Sequence, residues 1–74
     1  MDEKTSARSL IQLLSADELA ALESLIGGES LQVLAHRLSL DLIEAVDLQD
    51  SMKWKLGAVR NADAVRLALT AGLG

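Results

Sequence analysis

Ile43, Val46, Asp47, Asp50 and Trp54 recur at steps of three and four residues. On a helix they form one stripe, with carboxylates set among aliphatic and aromatic groups. That chemistry suits protein binding, because aromatic and branched side chains supply buried area and neighbouring acids steer a basic partner. The plainer alternative is a solvated helix face with Trp54 folded back on Arg60 or on the tail, since single exposed apolar groups are common on soluble proteins. The segment from Asp41 to Gly57 carries four acids, Asp41, Glu44, Asp47 and Asp50, against two bases, Lys53 and Lys55. Duplex DNA asks for the opposite, because binding free energy comes largely from cations that displace phosphate counterions.

Catalytic chemistry finds little support. The sole histidine, His36, has no cysteine or clustered carboxylates near it in the chain, and Ser30 is better explained as a helix cap than as a nucleophile. No GK[ST] or GxGxxG follows Gly27-Gly28, so the pair is not a phosphate loop. The expectation is a non-enzyme without a cofactor or bound metal.

The 74 residues, 50% of them hydrophobic, suffice for one small aliphatic core, and without proline, with Trp54 as the only aromatic residue and with no cysteine there is neither a disulfide nor a thiolate metal site. Seven Lys and Arg against eleven Asp and Glu give a net charge of -4, which disfavours polyanions and anionic membranes and favours basic partners. The apolar runs are short and the opening MDEKTSARS is polar, so neither a membrane span nor a signal peptide is expected, and the protein reads as soluble and cytoplasmic.

The elements that must position the stripe are all helical. Leu10, Ile11, Leu13 and Leu14 form an apolar patch in a short leading helix or an extended strap. Ser15 with Glu18 three residues later is a capping-box pattern, Ala21, Leu22, Leu25 and Ile26 repeat at helical spacing, and Gly27-Gly28 allows a left-handed stop. Ser30 caps a helix over Leu31 to Leu38 that buries Leu34, Ala35 and Leu38, and Ser39-Leu40-Asp41 is the turn. Asp41 and Glu44 form a second box, opening a helix with Ala45, Leu48, Met52 and Leu56 inward that Gly57 ends. Asn61 is read as the cap of a last helix, with Ala64, Val65 and Ala68 inward and Gly72 ending it.

The segments LSADELAALESLIGG, SLQVLAHRLSL and MKWKLGAVRNADAVRLALTAGL resemble the DNA-binding domain of LuxR-type (GerE, FixJ and NarL-like) regulators. Leu14, Ser15 and Glu18 fall on that family's LT..E, Gly28 and Ser30 on its G.S, and Leu34, Ala35, Leu38 and Leu40 on its IA..L.I. Lys55-Leu56-Gly57 match its KLG and Asp63-Ala64-Val65 its EAV. The resemblance implies an all-α, four-helix helix-turn-helix domain over residues 14–74, preceded by an extension over 1–13. The departures share one surface. Gln32-Val33 stand where the family has Lys-Glu, and Glu44-Ala45 where its reading helix opens with Thr-Val. Leu48 replaces its His. Its base-reading positions fall on Val46, Asp47 and Asp50, none of which donates to a purine edge or neutralises a phosphate.

Two functions follow as expectations. In the first, a transcription-regulatory scaffold meets a protein through Ile43, Val46, Asp47, Asp50 and Trp54. The partner would be a transcription factor or polymerase subunit with a basic surface, which the acids occupy as partial phosphate mimics. In the second, a DNA-binding domain acts as a dimer, with His36, Arg37, Lys53, Lys55 and Arg60 on phosphates and Gln49 near a base. The resemblance also implies dimerisation along the last helix. Leu67 and Leu69 are spare apolar residues there, for a homodimer or an inactive mixed dimer with an intact regulator, unless they pack on the Leu10–Leu14 patch.

Overall fold

The computed structural model describes residues 3–73, so residues 1, 2 and 74, at the outer ends of the two expected segments, lie outside the described part. It holds five helices, α1 (Glu3–Ile11), α2 (Ala16–Ile26), α3 (Leu31–Leu38), α4 (Leu42–Leu56) and α5 (Asn61–Thr70), and no strand among the described residues. The leading segment is a helix rather than an extended strap.

The helix ends follow the local chemistry closely. At α2 the Ser15 hydroxyl accepts from the Glu18 amide at 3.2 Å, and a Glu18 carboxylate oxygen accepts from the Ser15 amide at 2.8 Å. At α4 the Asp41 carboxylate accepts from the Glu44 amide at 2.7 Å while the Asp41 amide donates to Glu44 at 3.2 Å. These bonds satisfy amides that would otherwise lack a partner at a helix start, and the charges lie at the positive end of the dipole. Ser30 accepts from the Val33 amide at 3.3 Å.

The stop at Gly27-Gly28 and the turn at Ser39 form as the sequence suggests, and the cap of α5 differs. Gly27 is right-handed at φ −75, and the left-handed residue after α2 is Gly28, at φ 72. At the end of α3 the left-handed residue is Ser39, φ 56, held by the Leu40 amide donating to the Ala35 carbonyl at 2.9 Å. Asn61 is the first residue of α5 rather than its cap. The capping position is Arg60, whose extended backbone lets its amide donate to the Asp63 carboxylate at 3.2 Å, so the acid three residues on satisfies the end without an Asn side chain.

The core is a cluster of Leu22, Met52, Leu56, Ala64 and Ala68, with Leu10, Ile11, Leu14, Leu25, Ile26 and Leu67 packed around it. Alanine at Ala21, Ala35, Ala45, Ala64 and Ala68, all buried, lets helix backbones approach closely. α4 lies against both α2 and α3, while α5 is covered by α1 and α2. α1 holds its place by burying Ala7 and by Arg8 Nε donating to the Ala71 carbonyl at 3.1 Å. Leu13 turns outward instead of joining the patch.

Gly57 (φ 69) has open space where a Cβ would project, so any penalty for a side chain there comes from the backbone alone. Gly57→Ala is expected to lower unfolding free energy by about 1 kcal/mol. Gly27→Ala, at a right-handed position, is expected to be neutral or mildly stabilising. Urea titrations of the two variants check the contrast.

Candidate functional site

The orientation of α4 is set by an acid on another helix. Glu18, only 4% exposed, receives three donors: the Ser15 amide, Ser51 Oγ at 2.6 Å and Lys55 Nζ at 2.7 Å. Ser51 and Lys55 are four residues apart on one flank of α4, so the carboxylate grips that helix at two successive turns. Burial by itself raises the Glu18 pKa, but the Lys55 ammonium, the Ser15 amide and the Ser51 hydroxyl outweigh it and hold the group at about 2, below its ordinary 4.5. Sequence reasoning assigned Glu18 to the cap alone. Its second role joins residues more than thirty positions apart, and the only sequence signal was a Ser and a Lys four residues apart.

With Ala45, Met52 and Leu56 turned inward and Ser51 and Lys55 turned to α2, helical geometry leaves Ile43, Val46, Asp47, Asp50 and Trp54 outward. At 3.6 residues per turn these five lie within an arc of about 100°. Ile43 is 74% exposed, Trp54 82% and Val46 39%, and both aspartates are exposed. Trp54 therefore does not fold back on Arg60 or the tail. The outer face presents Ile43 and Val46 at one end, Trp54 at the other, and two carboxylates between them.

The cations assigned to phosphate contact stand differently. Lys55 is committed to Glu18, Lys53 sits 3.7 Å from Asp50, and Arg37 pairs with Glu29. Arg60 and His36 are exposed, while Gln49 is half-buried. On α5, Leu67 packs into the core and Leu69 is exposed. A concavity lies away from this face, between α1, α5 and the end of α4, lined by Ala7, Leu10, Leu56 and Leu67 with Glu3, Asp63 and Arg66 among its polar groups. Among the described residues no group of three or more His, Cys, Asp or Glu is placed to hold a metal ion, and no helix is long and apolar enough to cross a membrane.

No family model matches the chain, and no curated protein matches it. Among solved structures it matches full-length FixJ from B. japonicum with a TM-score of 0.85 at 24% sequence identity, over 95% of this chain. The fold is FixJ-like: all-α, with a helix-turn-helix. The chain spans about a third of the FixJ chain, 34%. In this fold α3 and α4 are the two helices of the helix-turn-helix, so the acidic and apolar stripe lies on its second helix.

The depressed Glu18 pKa carries a sign for stability. Its contribution is fully present above pH 4.5 and is lost as the pH falls through about 2. Urea unfolding is expected to show a loss on the order of 3 kcal/mol across that window, and Glu18→Gln should remove this component. Lys55→Met is expected to destabilise by about 2 kcal/mol at neutral pH by taking a charged donor from a buried acceptor.

Proposed function

We propose that the protein is a non-enzymatic, cytoplasmic transcription-regulatory protein whose helix-turn-helix scaffold binds another protein, not duplex DNA, through the outer face of α4. The observation that carries the reading is the exposed row of Ile43, Val46, Asp47, Asp50 and Trp54 on the second helix of the helix-turn-helix. In a major groove, this row would set two carboxylates and two aliphatic groups against base edges and phosphates, with the Trp54 indole N–H as its one donor and no cation. Against a protein, the same row supplies an aromatic anchor and a negative field. The partner is a transcription factor or polymerase component with a basic surface. The scaffold over residues 14–74 carries this function, and residues 1–13 extend it. Any pairing along α5 would rest chiefly on Leu69, because Leu67 is half-buried against the core.

Fluorescence anisotropy of labelled promoter duplexes at low salt tests the reading. The native chain is expected to give no saturable binding, and Asp47→Lys/Asp50→Lys to raise duplex affinity by about tenfold or more, with a steep salt dependence. Saturable, salt-sensitive binding by the native chain would return Lys53, Arg60 and Gln49 to the role of DNA contacts and overturn the proposal.

A further inference from the structure

The stripe on α4 has a symmetry that restricts what can lie on it. Ile43, Asp47, Asp50 and Trp54 are spaced four, three and four residues apart, a pattern that is the same read from either end. At a rise of 1.5 Å per residue the apolar ends are about 16 Å apart, with the carboxylates centred between them. A second copy laid antiparallel on this face would bring Ile43 onto Trp54 favourably. It would also set Asp47 against Asp50 twice at the two-fold axis, gathering four carboxylates into a desolvated contact. A copy laid parallel would set each aspartate against itself. The bases of α4 do not relieve this: Lys55 is bound to Glu18 on one flank, and Lys53, on the other, sits 3.7 Å from Asp50 and leaves Asp47 uncompensated.

We infer that the α4 face takes a basic amphipathic helix of another protein, with apolar side chains at its positions i and i+11 and Lys or Arg at i+4 and i+7. The inference rests on the reading of α4 as a protein-binding face and names the occupant by charge and spacing. Apolar ends of such a helix meet Ile43, widened by Val46, and Trp54. Its two cations meet Asp47 and Asp50, where Arg bonds a carboxylate in bidentate fashion. Both directions fit the spacing, and the helix dipoles favour the antiparallel one.

Trp54 is the only aromatic residue, so its emission reports on this face. The probe is a synthetic helical peptide of about 16 residues on an Ala/Gln background, with Leu at positions 3 and 14 and Arg at positions 7 and 10. A matched peptide carries Glu in place of both Arg. The native chain is expected to bind the Arg peptide at least tenfold more tightly than the Glu peptide, with a blue shift of Trp54 emission. Asp47→Arg/Asp50→Arg, at two exposed positions and checked for fold by circular dichroism, is expected to invert the preference. Equal affinity for the two peptides, no emission change with either, or a preference unchanged in the variant would overturn the inference. A duplex DNA titration of the same chain separates the two failures. Saturable duplex binding defeats the protein-binding reading itself, whereas failure of the peptides without duplex binding defeats only the charge-and-spacing assignment.

Discussion

The buried Glu18 carboxylate is the constraint from which the rest of the candidate face follows. A nearly inaccessible carboxylate is tolerable only when its oxygens are bonded, and here the donors come from three places: its own cap, Ser51 and Lys55. Removing any one leaves a charge in a low-dielectric site without full compensation. The interaction therefore fixes the rotation of α4 as well as its position. Apolar packing alone, through Ala45, Met52 and Leu56, leaves more freedom to turn about the helix axis, because small aliphatic contacts are not directional.

Once that rotation is set, the outside of α4 is determined by what remains. The flank bearing Ser51 and Lys55 is used up by α2, and the inner arc by the core. The remaining arc holds the aspartates and the exposed Ile43, Val46 and Trp54. The two lysines near the end of the helix do not balance the aspartates on that arc, since Lys55 is drawn toward Glu18. The same ion pair that stabilises the fold thus makes the outer face more acidic than a residue count along α4 suggests.

α1 completes the scaffold from the other side. Ala7, Leu10 and Ile11 give α5 a neighbour beside α2 and α4, and Arg8 satisfies the Ala71 carbonyl near the end of α5. Leu67 is absorbed into this packing while Leu69 stays in solvent. The two residues look equivalent as spare leucines on one helix. They differ by two positions, about 200° around the axis, which is enough to set one against the core, half-buried, and leave the other exposed.

Helix order, most boundaries and the caps at Ser15, Ser30 and Asp41 were legible in the chain because they depend on groups three or four residues apart. The stripe on α4 was legible for the same reason, as were the inward positions Ala45, Met52 and Leu56. Local pattern was less decisive at Ser39, where a left-handed residue carries no glycine, and at Arg60, where Asp63 satisfies the helix start in place of a capping side chain. The sequence by itself determined which residues share a face. Only the tertiary structure decided which faces are covered, because the partners of Lys55, Leu67 and Glu18 lie on distant segments, and their burial arises when packed helices exclude water.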